Sequence, residues 1–215
     1  APVHRQQTMV LVPMDTPGVR NVRSVPVFGR QDQHGHNEIV LDDVRVPVTN
    51  VLGEEGGGFA AAQARLGPGR IHHCMRALGA AERALALLVA RAWDRHAFGA
   101  PLAEQGVVQQ QAAESRIDIE QARLICHRAC HVIDTEGNKA ARELVSMAKV
   151  AVPRAVTRVL DRAIQVHGGA GVSDDLPLAA MWGWHRAMRL FDGPDEVHLR
   201  SLGRAELGRL PVLPP

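Results

Sequence analysis

The strongest indication of the fold comes from the stretch Gln165-Val166-His167-Gly168-Gly169-Ala170-Gly171-Val172. It closes a long amphipathic pattern and runs into a glycine-rich turn, which is typical of the end of a helix. Gly168 and Gly169 lack side chains, so their backbone N–H groups can approach a phosphate closely. A glycine pair at this point is also a common helix C-cap. The stretch therefore predicts a helix end, with phosphate recognition as a hypothesis.

A second stretch, Asp192-Gly193-Pro194-Asp195-Glu196-Val197, begins 20 residues after the first one ends. It places a carboxylate immediately before a Gly-Pro pair that interrupts the chain and opens another helix. A single Asp before Gly is usually a turn residue. A carboxylate in a short loop between helices is also a candidate base, and Asp192 is therefore a candidate catalytic residue.

The composition favours packed helices. The chain has 215 residues, of which 46% are hydrophobic but only 3% aromatic, with no tyrosine. This length suits one large domain or two small ones and can bury a substantial core. Ala, Leu and Val must fill that core, which suits closely packed helices better than a sandwich of bulky strands.

Charge and cysteine content exclude several functional classes. The 25 basic and 23 acidic residues nearly balance, and no basic stripe interleaved with aromatic residues indicates nucleic acid. Three cysteines argue against a disulfide scaffold and for a reducing interior, so we expect the cytoplasm, or the mitochondrial matrix in a eukaryote. No apolar run approaches the roughly 20 residues of a membrane span.

The pattern changes from strands to helices near residue 53. Residues 1–52 predict a partial β-domain, and residues 53–215 predict a helical domain after a glycine-rich hinge at 53–58. The candidate strands are Met9–Val12, Glu38–Leu41 and Val44–Val46. The candidate helices are Phe59–Leu66, Arg70–Ala92, Val107–Asp134, Asn138–Val166, 176–188 and 195–207. The third carries an apolar stripe with spacings of three, four or seven, formed by Val108, Ala112, Ile119, Ala122, Cys126, Ala129 and Ile133. Gly67-Pro68-Gly69 predicts a helix break, and Pro153 a kink. The predicted fold is mainly α, an antiparallel four-helix bundle preceded by a partial β-domain.

Six segments in this order resemble the acyl-CoA dehydrogenase family over nearly the whole chain. They are Leu11–Val19, Val44–Gly53, Gly57–Phe59, Arg95–Gly99, Gln165–Gly171 and Asp192–Glu196. The resemblance covers the second half of the middle β-domain and the C-terminal helical domain. Asp192–His198 and Pro153–Val156 are most similar to the subgroup that acts on long and hydroxylated acyl chains. The ordered set is specific, whereas each motif alone is not.

The resemblance implies FAD-dependent α,β-dehydrogenation of an acyl-CoA thioester, with Asp192 as the base that removes the α-proton. Most members have Glu at this position, preceded by Tyr where this chain has Phe191. Asp is shorter by one methylene, so the substrate or loop must sit closer. Some members take the base from the long helix near Arg70, but Gly69 offers no carboxylate there. The base needs a dry pocket that raises its pKa, and the thioester carbonyl needs hydrogen-bond donors.

The same resemblance implies positions for the cofactor and the substrate. Arg95 and Phe98 match residues that contact the FAD of a neighbouring subunit, and Arg70 matches a substrate-side arginine near the CoA moiety. Gln165, His167, Gly168 and Gly169 match the adenosine diphosphate end of that flavin. Gly193, Pro194 and Glu196 match positions near the flavin of the chain's own subunit. Taken alone, Arg95 is more simply explained as a helix C-terminal cation, whereas for Arg70 a helix-surface charge is the lesser alternative. Ala97 and Pro194 stand where threonine is common.

The family also implies partners. A homodimer or homotetramer is expected, with electron-transfer flavoprotein as the electron acceptor. Family members normally begin with an all-helical domain and the first strands of the β-domain, which carry the principal flavin contacts. Neither is present here, so we expect this chain by itself to bind FAD incompletely and to show weak activity or none.

Three alternatives stay open. Cys126-His127-Arg128-Ala129-Cys130-His131 contains two cysteines and two histidines, but four ligands on one helix cannot close a tetrahedral zinc shell without strain. We therefore predict no metal site. A non-catalytic role as a helical-bundle partner or oligomerisation subunit would make Asp192 incidental. An acyl-CoA oxidase, which passes electrons to oxygen, shares the same fold.

Overall fold

The computed structural model describes residues 1–31 and 35–209. Residues 32–34 and 210–215 lie outside the described part, and with them the end of the predicted helical domain. The chain divides into two compact units, Ala1–Gly67 and Pro68–Pro215.

The first unit contains one antiparallel β-ribbon. Strands β1 (Val19–Ser24) and β2 (Asn37–Leu41) pair from Val19 opposite Leu41 to Ser24 opposite Asn37, with a bulge between Asn21 and Arg23. The predicted strand Glu38–Leu41 is confirmed. Strand β1 was not predicted, because only two of its six residues are apolar and they are spaced by three rather than two.

Two predicted strands in this unit are wrong. Within Met9–Val12 only Val10 forms a bridge, to Val51, and Pro13 then removes a donor that a longer ladder would need. Val44–Val46 is irregular. Asp43 before it has a left-handed φ of 46°, which breaks the extended backbone, and Pro47 follows directly.

Helix α1 spans Gly58–Asp94 without interruption, so the predicted break at Gly67-Pro68-Gly69 is wrong. A proline inside a helix removes one hydrogen bond at a cost of about 3 kcal/mol. Beyond Pro68 the helix buries a continuous apolar face, and that burial outweighs the local loss. The buried residues are Ile71, Cys74, Ala77, Leu78, Ala81, Ala84, Leu85 and Leu88.

Two further long helices complete the core. Helix α2 spans Gly106–Glu136 and α3 spans Arg142–His167, with Pro153 buried inside an unbroken α3. Asp118 binds Arg158, and Glu114 binds Arg162, so the two helices run antiparallel. The predicted apolar stripe on α2 is confirmed: Val108, Ile119, Ala122, Cys126 and Ala129 are buried, and Ala112 and Ile133 pack against the core.

Helix α1 lies antiparallel to α2. Cys74 contacts Cys126, whereas Glu82, further along α1, pairs with Arg116 and Arg123, which come earlier on α2. Three shorter helices follow α3: α4 (Gly169–Val172), α5 (Leu178–Ala187) and α6 (Asp195–Leu207). Both α5 and α6 pack on α3. The predicted mainly α fold is therefore confirmed. None of the described helices combines the length and apolar character that crossing a membrane requires.

Candidate active site

The predicted base lies in the loop between α5 and α6. Asp192 has a left-handed φ of 55°, and Gly193 beside it has a φ of 98°. Asp tolerates this conformation better than most residues, and Gly adopts it freely. Two successive left-handed residues turn the backbone sharply immediately before Pro194 opens α6.

Helix α1 holds both the side chain and the backbone of Asp192. His73 Nε2 lies 3.1 Å from Asp192 Oδ2, and the two side chains are 23% and 16% exposed. One turn earlier on the same helical face, Arg70 Nε donates to the Asp192 backbone oxygen at 2.9 Å. Asp192 is thus a sheltered carboxylate with defined partners, rather than a solvated turn residue.

A buried lysine supports the loop from α3. Lys149 is completely buried, and its Nζ donates to the backbone oxygens of Met188 at 2.6 Å and Gly193 at 3.4 Å. Nζ also lies 5.7 Å from the centre of the Phe191 ring. Burial lowers the pKa of Lys149, because removal from water disfavours the charged form.

Helix α6 holds the loop from its other end. His198 is buried, with Nδ1 3.2 Å from Ser146 Oγ and Nε2 3.4 Å from the Asp192 backbone oxygen. Burial lowers the pKa of His198, and the contact with the Asp192 backbone opposes that shift. A neutral imidazole donates from one nitrogen and accepts at the other. Because a carbonyl oxygen only accepts, Nε2 is the nitrogen that donates to Asp192, and Nδ1 accepts from the Ser146 hydroxyl.

An ion-pair cluster fixes the first turn of α6. Asp195 is 2% exposed, and its Oδ2 accepts from Arg154 Nε at 3.0 Å and from Arg189 Nε at 2.9 Å. Two guanidinium groups on Oδ2 partly compensate the burial of this carboxylate, whose Oδ1 is buried with no hydrogen-bond partner among the described residues. The cluster joins α3, the loop and α6, and so limits the movement of Asp192.

A cavity of about 210 Å³ lies beside the His73 ring. His73, Arg76, Trp184, His185, Met188 and Phe191 line it, together with two alanines. Phe191 packs edge-on against His73, with ring centres 5.4 Å apart, and lies 5.6 Å from Trp184. Burial lowers the pKa of His185, which favours its neutral form. Asp192 lies next to this cavity, because His73, which contacts it, and Phe191, which precedes it in the chain, both form part of the wall.

A second cluster of predicted site residues lies at the C-terminal end of α1. Strands β3 (His96–Ala97) and β4 (Ala100–Pro101) form a hairpin whose two-residue turn is Phe98-Gly99. Both turn residues have positive φ, 55° and 84°, as a type I′ turn requires. The Phe98 side chain is 95% exposed and Arg95 is exposed, so both are available to a ligand or another subunit.

The C-terminal end of α3 lies next to α1 in the same region. Gly168 ends α3 with a φ of 64°, and a side chain there or at Gly169 would meet nothing within 4 Å. His167 is buried, with Nδ1 2.8 Å from Ala163 O, and lines a cavity of about 400 Å³ with Leu87, Ala90, Arg91, Asp94 and Ala170. Arg91 Nε is buried, and no residue in the described part of the chain forms a hydrogen bond with it. The open space around the backbone of Gly168 and Gly169, together with the Arg91 N–H donor, suits an anionic or nucleotide ligand.

Comparison with known proteins identifies the family to which this chain belongs. The acyl-CoA dehydrogenase C-terminal domain matches residues 56–207. The chain belongs to the acyl-CoA dehydrogenase family. The probable acyl-CoA dehydrogenase FadE2 of Mycobacterium tuberculosis is 71% identical over 97% of this chain and 51% of its own length.

Two solved structures extend the comparison. A protein of Mycobacterium abscessus assigned to the acyl-CoA dehydrogenases has a TM-score of 0.94 and 47% identity, over 96% of this chain and 51% of its own. Butyryl-CoA dehydrogenase from Megasphaera elsdenii has a TM-score of 0.81 and 32% identity, over 93% and 51%. The chain thus spans about half the length of these relatives.

The acyl-CoA dehydrogenase fold separates the predicted site residues into two groups. Each helical residue adds ~1.5 Å, so Arg70, in the first half of α1, and Asp94, at its C-terminal end, lie roughly 36 Å apart. Asp192, Gly193 and Pro194 gather at the Arg70 end, and Glu196 is exposed in the first turn of α6. Arg95, Phe98 and the Gln165–Gly169 segment gather at the Asp94 end, where Gln165 is exposed.

Sequence reasoning missed four residues that surround Asp192: His73, Lys149, Asp195 and His198. A weak signal existed for His73, which stands three residues after Arg70 and shares its helical face. The sequence contains no such signal for Lys149 or His198, because each side chain contacts residues that are distant in the sequence. Among the described residues, no group of three or more His, Cys, Asp or Glu side chains could hold a metal ion.

Proposed function

We propose that this chain carries the proton-abstracting half of an FAD-dependent acyl-CoA dehydrogenase, with Asp192 as the base. The proposal depends on the exposure and the contacts of this carboxylate. It is 16% exposed, one oxygen is bound to His73, and its backbone oxygen is bound to Arg70. A sheltered, oriented carboxylate is what removal of a weakly acidic α-proton requires.

The chemistry divides between the base and the flavin. Asp192 would take the α-proton of the thioester, and the electron pair of that C–H bond would form the new double bond as hydride leaves the β-carbon. A bound FAD would accept that hydride. Family membership supports this division, and the closed environment built by Phe191, Trp184 and His73 supports the exclusion of water.

The residues that would hold FAD are the two groups at the ends of the bundle. Arg95, Phe98, Gln165, His167, Gly168 and Gly169 would meet the flavin of a neighbouring subunit. The cavity beside Arg91 Nε and the exposed Phe98 ring support this role. Gly193, Pro194 and Glu196 would lie near the flavin of the chain's own subunit. Arg70 would face the CoA moiety in addition to its contact with Asp192.

The separation of these groups supports an oligomer. Groups roughly 36 Å apart along α1 are readily used by two different flavins, one in each of two subunits. We therefore propose a homodimer or homotetramer, with an acyl-CoA as the substrate and electron-transfer flavoprotein as the acceptor. The family supports these partners.

The test is Asp192→Asn in the flavin-loaded enzyme that contains this chain. We expect the rate of substrate-dependent flavin reduction to fall by about 10³-fold or more, because loss of a general base costs ~10²–10⁴. Asp161→Asn, which changes an exposed carboxylate on α3, is the matched control and should leave the rate unchanged. Full activity of Asp192→Asn would favour the alternative, a non-catalytic bundle that serves only as a partner or oligomerisation subunit.

A further inference from the structure

His73 and Arg70 form a two-point support for Asp192 on one face of α1. Arg70 reaches the backbone oxygen of Asp192 at 2.9 Å, and His73 reaches the carboxylate at 3.1 Å. Residues three apart on a helix lie side by side, so both contacts come from one rigid surface. The loop is therefore bound through its main chain and its side chain independently.

The two oxygens of the Asp192 carboxylate differ in their surroundings. Oδ2 is the oxygen nearer to His73, 3.1 Å from Nε2 in an ion pair, and no side-chain contact with Oδ1 is seen among the described residues. A carboxylate held at one oxygen cannot exchange its two oxygens by rotating about Cβ–Cγ without breaking that contact. The contact with His73 therefore selects which oxygen faces outward.

The His73 ring is itself fixed. It packs edge-on against Phe191 with ring centres 5.4 Å apart, and only 23% of its side chain is exposed. It also forms part of the wall of the 210 Å³ cavity, beside Arg76 and His185. A ring held by packing transmits its orientation to the group that it binds.

We propose that His73 is a positioning residue that holds Asp192 Oδ2 and thereby presents Oδ1 to the α-carbon of the substrate. This inference rests on the proposed role of Asp192 as the base. His73 donates Nε2–H to Oδ2 and keeps that proton throughout, while Oδ1 takes the α-proton. No additional proton transfer is involved. The support matters because small displacements of a reacting group are costly: a shift of ~1 Å can lower a rate about 10²-fold.

The experiment compares His73→Leu, His73→Gln and His72→Leu in the flavin-loaded enzyme, by stopped-flow measurement of flavin reduction against acyl-CoA concentration. His73→Leu should lower the limiting rate about 30- to 100-fold and leave the dissociation constant of the substrate within about twofold, because only the reacting geometry is disturbed. His73→Gln keeps an N–H donor and should recover to within about threefold of the parent rate. His72 is the exposed neighbour, and its replacement should have no effect.

An isotope effect separates positioning from loss of structure. In His73→Leu, proton abstraction becomes more fully rate-limiting, so an α-dideuterated acyl-CoA should show a larger primary isotope effect than with the parent enzyme. If His73→Leu does not fold, His73→Asn takes its place, since its shorter amide cannot span the contact with Oδ2. The same losses are then expected from His73→Asn.

The results distinguish this inference from the proposed function. An unchanged limiting rate in His73→Leu, or an equal loss in His73→Leu and His73→Gln, would overturn the role of His73 while leaving that of Asp192 intact. Retained activity in Asp192→Asn would instead overturn the proposed base, whatever the His73 variants show. Recovery in His73→Gln together with inactive Asp192→Asn supports both.

Discussion

Lys149 Nζ donates a hydrogen bond to the backbone oxygen of Met188 across 2.6 Å, and this contact joins the interior of α3 to the segment that leads to Asp192. The same ammonium group reaches Gly193 O at 3.4 Å, on the far side of the base. Lys149 therefore binds the backbone on both sides of the loop. Neutral aliphatic packing could fill the same volume but could not satisfy these carbonyls.

Replacement of Lys149 by Met should loosen this loop. The Met188 carbonyl would be left buried without its donor, at a cost of about 1–3 kcal/mol in the free energy of unfolding. Urea unfolding followed by circular dichroism measures the loss. Lys139→Met, at the chain's other and exposed lysine, should leave the midpoint unchanged. A variant at position 149 as stable as the parent would show that the ammonium contacts contribute nothing net.

The left-handed glycine beside the base predicts a contrast between two glycine substitutions. Gly193 has a φ of 98°, and a side chain there would come within 2.9 Å of His198 Nε2. Gly193→Ala should therefore destabilise the protein by at least about 1 kcal/mol from backbone strain, and should slow flavin reduction by displacing Asp192. Gly203→Ala, inside α6 with nothing within 4 Å, should stabilise it by about 0.5–1 kcal/mol. Thermal melts of the two variants that shift in the same direction would contradict this account.

The sequence predicted the helices well and their interruption poorly. The apolar stripe of α2 follows from local periodicity, so residues such as Ile119 and Ala122 could be assigned to the core in advance. Gly67-Pro68-Gly69 looks like a break because helix propensity is local, whereas the burial that carries α1 through Pro68 depends on contacts with α2 and α3.

The candidate site was predictable only in part, for the same reason. Asp192 stands out through its Gly-Pro context and the family resemblance. Its partner on α1 does not, because the neighbours His72 and His73 are chemically identical and only tertiary packing decides which one meets the carboxylate. Likewise, the completely buried position of Lys149 contradicts the usual exposure of lysine.

The exposed Phe98 ring predicts a change in cofactor affinity without a change in the stability of the chain. Because the ring is 95% exposed, Phe98→Ala should alter the free energy of unfolding by less than about 0.5 kcal/mol. Loss of its proposed contact should raise the dissociation constant of FAD about tenfold, equivalent to about 1.4 kcal/mol. Fluorescence titration of the flavin-depleted enzyme measures the affinity. Leu207→Ala, at a residue 89% exposed at the end of α6, is the control. Unchanged FAD affinity in Phe98→Ala would remove this residue from the cofactor site.

Asp118 predicts a pH-dependent contribution to stability. Its carboxylate on α2 binds Arg158 and Arg162 on α3, and only 11% of the side chain is exposed. Burial raises the pKa of Asp118, but the hydrogen bonds from the two arginines outweigh it and leave that pKa below its ordinary value.

A carboxyl group whose pKa is depressed on folding stabilises the protein above its unfolded pKa, near 3.9, and loses that contribution as the pH falls through the folded value. Asp118→Asn should therefore lower the free energy of unfolding by about 2 kcal/mol at pH 7, a figure reduced for the half-exposed Arg158. The gap between variant and parent should narrow progressively below about pH 4. Urea unfolding at several pH values measures the gap, with Glu120→Asn, in a solvent-exposed ion pair, as the control that changes little. A gap that stayed constant down to low pH would mean that the carboxylate charge of Asp118 is not the source of its stabilising effect.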